Sequence, residues 1–345
     1  MQFPKNAPRP RVLACLVAAI LLSHLWPAAG QSFSITNFNV ALSGPRTIGF
    51  SADADSYYIL YRGQVVTNIS EPVKMALGIS GSLTLQDSSS QTAAQFYRVA
   101  RVPLLQPLDS DGDGIDDVFE LSYAGCLNPL DPTDASLDCD GDTRSNLQEY
   151  FDGTNPILAD AAPKLVINEI DYDQVGSPDT AEFVEILNKG TNTINLAHYA
   201  LAFINGANNL EYLRVNLNGP ISASQYLVVA STNLTTIPAA ARIIYFLSGE
   251  NSIQNGSPDG VALINTGSLT IQDAFCYKGA MTAANINGFS GTRTLVEGTA
   301  LSASVADSNT AAGSLARIPD GADTDNASAD WTFSSTPTPG AANVP

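Results

Sequence analysis

The strongest chemical signal in this sequence is the stretch DSDGDGIDDVFE, residues 109–120, which carries six acidic side chains, two glycines and no basic residue. Carboxylates at this density repel one another unless solvent screens them or a cation binds among them. Their spacing favours a bound cation. Side chains with oxygen atoms fall at positions 1, 3, 5, 9 and 12 of the stretch, namely Asp109, Asp111, Asp113, Asp117 and Glu120.

This spacing matches the ligand positions of an EF-hand-type calcium loop. Calcium takes about six to eight oxygen ligands, and alternate residues of a tight loop point inward to supply them. Gly114 stands at position 6, where the loop must turn sharply, and Ile115 at position 7 offers its backbone carbonyl. The pattern predicts a calcium site that Glu120, as a bidentate ligand, closes.

A second stretch, DCDGDTRSNLQE, begins 29 residues after the first. Its ligand positions carry Asp138, Asp140, Asp142, Asn146 and Glu149, with the carbonyl of Arg144 at position 7. Thr143 replaces the glycine at position 6, where a positive φ costs free energy for a residue with a Cβ. We therefore expect this second calcium site to be weaker than the first or to differ from it in shape.

A solvated acidic linker is the alternative interpretation of both stretches. It explains neither the ligand spacing that the two copies share nor the Leu, Phe and Tyr residues that follow each loop. The units resemble thrombospondin type 3 and dockerin-like repeats, since each has an acidic loop, a short helix-like run and an Asn-Pro pair. This resemblance implies calcium-organised repeats with little core of their own, which would act as a stiff spacer between two β domains.

The elements around this module begin with a predicted secretory signal peptide, residues 1–30. Lys5, Arg9 and Arg11 form a basic segment, an apolar run follows, and Ala28 and Gly30 occupy the small-residue positions of a cleavage site. No later apolar run reaches the roughly 20 residues of a membrane-spanning helix. We expect the mature protein to be secreted, in an extracellular or periplasmic location; retention at the cell surface is left open.

The charge of the chain argues against nucleic acid as a partner. The net charge is −18, and without the predicted signal peptide 13 basic residues remain against 34 acidic ones, for a net charge of −21. Such a chain is repelled by polyanions and anionic lipid. Residues 109–160 hold 14 acidic residues and one basic residue, Arg144, which marks residues 106–161 as a separate module.

Residues 31–105 are predicted to form a small antiparallel β-sandwich-like module. The segments SYYILYRG, GSLTLQD and AQFYRVARV alternate or are rich in aromatic residues, and turn residues separate them. YYILYRG and FYRV resemble β-modules that precede acidic calcium repeats in secreted bacterial proteins. The resemblance implies a fibronectin-type module.

Residues 162–345 contain nine strand-like segments from KLVINEIDY to SLARIP, which predict an antiparallel β-sandwich. LVINEIDYD, EFVEILNKG, DGVALIN, SLARIPDG and DWTFSSTPTPGAAN together resemble the lamin tail domain. The resemblance covers residues 164–343 and implies an immunoglobulin-like fold with a binding or tethering role. The whole chain is thus predicted to be mainly β.

The cysteines fit an exported protein. Cys126 and Cys139 flank one loop and are expected to pair in an oxidising compartment, where closing such a loop adds roughly 3 kcal/mol. Cys276 lies in an apolar strand-like segment and is expected to be a buried, unreactive thiol.

Residues for catalysis are scarce in the mature chain. Its one histidine, His198, lies in a strand-like segment, and three cysteines with one histidine are few for a zinc site. The acidic residues of the sandwich are interpreted as a solvated face: Glu169, Asp171, Asp173, Glu182 and Glu185.

The sequence therefore favours a secreted, non-catalytic calcium-binding protein that binds or tethers an extracellular protein or polysaccharide. One alternative is an extracellular hydrolase that uses two converging carboxylates on the sandwich. Another is a carbohydrate-binding protein with exposed aromatics, such as Tyr199 or Tyr212, as stacking platforms.

Overall fold

The computed structural model of the chain describes residues 35–40, 45–89 and 95–345. The predicted signal peptide lies outside these residues. The chain divides into two compact units between Leu137 and Asp138. The sequence grouped both acidic repeats in one module, 106–161, whereas the structure places the first repeat in the first unit and the second repeat in the second unit.

The first unit contains two three-stranded antiparallel sheets. The strands of one sheet, in spatial order, are β1 Ile35–Val40, β2 Arg46–Ala52 and β5 Gly81–Asp87. Those of the other are β4 Glu71–Leu77, β3 Ser56–Gly63 and β6 Phe96–Pro103.

Strand β3 shows why this unit holds the first repeat. Successive side chains of a strand point to opposite faces. Tyr58 and Leu60 enter the core against the β1–β2–β5 sheet, whereas Tyr57 and Ile59 belong to a cluster on the other face. Hydrophobic residues of the first repeat pack onto this second cluster: Val118, Leu121 and Leu130. The first helix, α1 Asp117–Ser122, therefore has a sheet face to pack against.

The second unit begins with the second repeat and its helix α2 Asn146–Asp152. It continues into a sandwich of two main sheets. The six-stranded sheet has the spatial order β14 Arg242–Tyr245, β13 Tyr226–Ala230, β8 Phe183–Asn188, β7 Leu165–Asp171, β17 Ser314–Arg317 and β18 Trp331–Ser334. The four-stranded sheet has the order β11 Leu210–Asn216, β10 Tyr199–Asn205, β15 Asp259–Asn265 and β16 Thr270–Tyr277.

Two short elements complete the second unit. Strands β9 Ile194–Asn195 and β12 Pro220–Ile221 form a small ribbon, and helix α3 Ala327–Asp330 precedes β18. In the second unit, whose residues the structure describes throughout, the named strands pair antiparallel except β13 with β14, which run parallel. Among the described residues, no helix has the length and apolar character needed to cross a membrane.

The main core of the second unit lies between the two large sheets. It is built from aliphatic and aromatic side chains of both sheets, such as Ile167, Val184, Phe203 and Phe275. A smaller cluster covers the other face of the four-stranded sheet with residues of the segment 281–295. Both faces of its central strands β10 and β15 are thus buried, which explains why these two strands are nearly continuously apolar.

The predicted mainly β architecture is confirmed. Each of the nine segments predicted in the sandwich contains a strand, and the three predicted in the first unit correspond to β3, β5 and β6. The sequence analysis named no segment for β1, β2 and β4 in the first unit, and it missed β12 and β18 in the second. Strand β18 lies in the C-terminal segment and pairs with β17 at the edge of the six-stranded sheet.

Candidate metal centres

The first acidic loop gathers its carboxylates by means of backbone hydrogen bonds. The amides of Gly112 and Gly114 donate to the two carboxylate oxygens of Asp109, at 2.8 and 3.1 Å. Both glycines have positive φ, +83° and +100°. The resulting turn brings ligand oxygens of Asp109, Asp111 and Asp113 within 4.8 Å of one another.

Two further carboxylates complete this first cluster. Ligand oxygens of Asp113, Glu120 and Asp134 also lie within 4.8 Å of one another. Asp116 caps α1 by accepting from the amides of Val118 and Phe119, so the helix that carries Glu120 begins directly after the loop. Asp134 lies in a short 3₁₀ turn beyond the loop.

Glu120 is the most deeply buried carboxylate of the first cluster. It is fully buried, and neither of its carboxylate oxygens accepts a hydrogen bond from any described residue. Burial, followed by the charges of Asp111 and Asp113, raises its pKa to about 9. Burial and the neighbouring Asp113 likewise raise the pKa of Asp111 to about 6. A buried carboxylate without a donor is costly, and a cation among these oxygens would remove that cost.

Asp117, the predicted ligand at position 9, is hydrogen-bonded to neighbouring residues. Its carboxylate accepts hydrogen bonds from the amide and hydroxyl of Ser110, at 2.8 and 2.7 Å, and from the Tyr57 hydroxyl, at 2.8 Å. It is absent from the carboxylate clusters found among the described residues, and Asp134 joins Glu120 instead. Ile115, whose carbonyl is the predicted ligand at position 7, is fully buried.

The second acidic loop repeats the backbone pattern of the first. The amides of Gly141 and Thr143 donate to the two oxygens of Asp138, at 2.7 and 2.9 Å. Thr143 adopts a φ of +81°, the conformation that favours glycine at this position. Ligand oxygens of the three aspartates of this loop lie within 4.8 Å of one another: Asp138, Asp140 and Asp142.

Helix α2 supplies the buried glutamate of the second cluster. Ser145 and Gln148 form a capping box at its start, and Gly153 ends it in the left-handed conformation. Glu149 is fully buried, and neither carboxylate oxygen accepts a hydrogen bond from the described part of the chain. Burial, then the charges of Asp140 and Asp142, raise its pKa to about 8.

Asp160 completes the second cluster, as Asp134 does the first. Its ligand oxygen lies within 4.8 Å of those of Asp142 and Glu149. The predicted ligand at position 9, Asn146, is buried at the start of α2, where its amide nitrogen approaches Cys139 Sγ at 3.7 Å. Arg144 is the predicted carbonyl ligand, and its side chain reaches Asp160 at 3.2 Å.

Helix α2 is attached to the sandwich by hydrogen bonds to its last residues. The Tyr199 hydroxyl donates to the carbonyl of Asp152 at 3.2 Å, and Asn265 Nδ2 donates to the carbonyl of Phe151 at 2.8 Å. The amide of Asn195 donates to the carbonyl of Gly153 at 2.9 Å. The helix that carries Glu149 is therefore held against strands of the second unit.

A third group of carboxylates is paired with an arginine. Ligand oxygens of Asp273, Glu297 and Asp323 lie within 4.8 Å of one another. The fully buried guanidinium of Arg317 pairs with all three, and its distance to Asp273 is 2.9 Å. Each carboxylate of this group thus has a basic partner, whereas the oxygens of Glu120 and Glu149 accept no hydrogen bond from the described residues.

The acidic residues of the sandwich correct one expectation from the sequence. The sequence predicted that they form a solvated face, but all five are buried: Glu169, Asp171, Asp173, Glu182 and Glu185. Three of them, Glu169, Glu182 and Glu185, accept hydrogen bonds from backbone amides. Glu182 accepts hydrogen bonds from the amide of Ser252, at 2.6 Å, and from the amide of Ile253. Glu185 accepts a hydrogen bond from the amide of Gly340 at 2.6 Å.

The aromatic residues considered as sugar platforms also have structural roles. Tyr199 is buried and bonded to α2, so its ring offers no exposed face. Tyr212 is partly buried in the main core and its hydroxyl accepts from the amide of Gln254 at 2.9 Å. His198 packs its ring against Tyr150 and Phe151 of α2.

The cysteines are in two states. Cys126 and Cys139 are disulfide-bonded. Cys276 is a free, buried thiol, and burial raises its pKa.

Comparison with known protein families supports the assignment of the sandwich. Residues 159–279 match the family model of the lamin tail domain. The matched segment runs from just before β7 to the end of β16. A comparison with curated proteins finds no significant match. The second unit therefore contains a lamin-tail-like sandwich of the immunoglobulin type.

Proposed function

We propose that this protein binds two calcium ions, one in each acidic loop, and that its lamin-tail-like sandwich is a non-catalytic binding or tethering module. The observation that carries the proposal is the pair of buried glutamates, Glu120 and Glu149. Each is fully buried and lacks a hydrogen-bond donor among the described residues. Each also lies within 4.8 Å of two aspartates, so burial without a cation would be strongly unfavourable.

The ligand chemistry favours calcium among the common cations. The side chains of both clusters offer carboxylate oxygens, and each cluster has five carboxylates when Asp134 and Asp160 are included. Hard cations prefer such oxygen ligands, whereas zinc prefers histidine and cysteine. Calcium accepts the higher ligand number and the less regular geometry that a flexible acidic loop provides, and magnesium requires a near-ideal octahedron.

The calcium ions would act on stability. Extracellular calcium modules bind with dissociation constants of roughly 10⁻⁴ to 10⁻³ M. At about 1 mM calcium and a dissociation constant near 0.1 mM, each site would stabilise the folded state by about 1.4 kcal/mol. Since each repeat packs within a different unit, we expect calcium to stabilise both units rather than an independent spacer.

The biological setting follows from the same chemistry. Sites of this affinity are filled in an extracellular or periplasmic fluid rich in calcium, which agrees with the predicted signal peptide. The lamin-tail-like sandwich would then bind an extracellular protein or polysaccharide, or attach the protein to a surface.

Thermal unfolding of the mature protein tests this function. We expect the melting temperature to rise in calcium relative to EDTA, and to rise much less in magnesium at the same concentration. Equal melting temperatures in calcium and in EDTA would refute calcium as a structural cofactor.

A further inference from the structure

We propose that the Arg144 side chain lowers the calcium affinity of the second loop by acting as a built-in counter-charge on Asp160. This inference rests on the proposed function and concerns how strongly one of its two sites binds. Arg144 contributes its backbone carbonyl at position 7 of the loop, so its side chain can act independently of that ligand.

The contacts of Arg144 place a positive charge beside the second cluster. Its guanidinium lies 3.2 Å from the carboxylate of Asp160 and 2.7 Å from that of Asp152. Asp160 in turn shares the cluster with Asp142 and Glu149. The side chain of Arg144 is 14% exposed and that of Asp160 is 5% exposed, so solvent screens this charge only partly.

Asp160 has hydrogen bonds besides its contact with Arg144. Its amide donates to Asp142 Oδ2 at 3.3 Å, and its carboxylate also accepts from the backbone of Asn155. Removing the guanidinium should therefore change the charge at the site more than its shape. A divalent cation that enters the cluster is repelled by Arg144, and a neutral side chain at this position removes the repulsion.

The first loop provides the natural comparison. Its position 7 is Ile115, which carries no charge, and its cluster has the same number of carboxylates as the second. The side chain at position 7 is therefore a specific difference in charge between the two loops. A unit charge a few ångströms from a divalent ion changes affinity by about tenfold, even in a water-like dielectric.

The test isolates the second site by disabling the first. Calcium binding is measured calorimetrically on the full mature chain carrying Glu120→Gln, alone and combined with Arg144→Gln. We expect Arg144→Gln to tighten binding about tenfold. Arg144→Lys, which keeps the charge, should leave the affinity close to that of the parent. Arg144→Met serves as a second neutral variant, and far-ultraviolet circular dichroism checks that each variant is folded.

Two measurements separate a charge effect from a structural one. The difference between the parent and Arg144→Gln should shrink as the salt concentration rises, because salt screens a charge that is partly exposed. Thr143→Gly, which relieves the positive φ without a change in charge, should alter affinity by an amount that does not depend on salt.

The outcomes are distinct for the two proposals. Unchanged or weaker calcium binding in Arg144→Gln and Arg144→Met would overturn the role of Arg144, while calcium binding by the parent still supports the second site. A Glu120→Gln parent that binds no calcium would refute the second site itself.

Discussion

The carboxylates of Glu120 and Asp134 lie within 4.8 Å of each other, although 14 residues and the end of α1 separate them in the chain. Asp134 therefore belongs to the first cluster without belonging to the first loop. The second repeat has the same arrangement, since Asp160 approaches Glu149 from beyond α2. Each candidate site thus combines a loop, a helix and a segment after the helix.

The contribution of Asp134 can be tested by substitution. Asp134→Asn should weaken calcium binding at the first site by about tenfold or more, because it removes a charge from the cluster. Asp131→Asn is the matched control, since Asp131 is exposed and accepts from Thr133 in the neighbouring turn. Calorimetric titration in a Glu149→Gln background reports the first site alone. Equal calcium affinities for the two variants would show that Asp134 is not a ligand.

Substitution of Glu120 should change the stability of the first unit in opposite directions with and without calcium. In EDTA, Glu120→Gln replaces a buried carboxylate that has no donor and should stabilise the first unit by roughly 1 to 3 kcal/mol. In saturating calcium the same change should destabilise the unit, because it removes a ligand. Urea unfolding under both conditions measures the two effects. A variant that is less stable than the parent in EDTA would contradict the role of a cation in offsetting this burial.

The attachment of α2 to the sandwich should transmit calcium binding to the second unit. Asn265→Ala removes the donors to Phe151 and Asp152 and should reduce the rise in melting temperature that calcium causes in that unit. Thr270→Ala, at an exposed position of the same hairpin, is the control because its hydroxyl contacts Ser268. Calorimetric melts with and without calcium compare the two variants. An equal calcium response in both would show that α2 and the sandwich respond independently.

A buried pair of carboxyl groups should make the stability of the sandwich depend on pH. Asp171 and Asp307 face each other with Gln174 beside them, and burial followed by the charge of Asp307 raises the pKa of Asp171 above its ordinary value. The folded state therefore holds a proton that the unfolded state releases. The free energy of unfolding should fall as pH rises from about 4 towards the raised pKa.

Asp171→Asn should remove this fall in the free energy of unfolding at high pH. At pH 8 the variant should be more stable than the parent by more than about 1 kcal/mol, because each unit of raised pKa corresponds to about 1.4 kcal/mol. Near pH 4 the two proteins should be similar. Denaturant unfolding at both pH values measures the difference. A stability gain that is the same at pH 4 and pH 8 would point to a change in packing instead.

The sequence allowed most strands to be predicted because their patterns are local. KLVINEIDY and DGVALIN are apolar runs bounded by turn residues, and they form β7 and β15. Strand β18, WTFS, lacks such a run. It is a strand because it pairs with β17 at the edge of a sheet, which depends on the assembled sandwich.

The candidate sites were predictable only within each loop. Asp113 and Glu120 follow a fixed ligand spacing, whereas Asp134 reaches the cluster through the fold of a later segment. Its signal in the sequence was an acidic residue shortly after an Asn-Pro pair, which recurs as Asp160 in the second repeat. Asp117 fits the spacing, but its carboxylate accepts from Tyr57, a residue of a distant strand that no loop pattern includes.

Calorimetric titration of the mature protein with calcium, beside its Glu120→Gln/Glu149→Gln double variant, counts the calcium ions that the two acidic loops bind. We expect two calcium ions bound to the parent chain and none to the double variant. A parent that binds no calcium, or a double variant that binds as the parent does, would contradict this expectation.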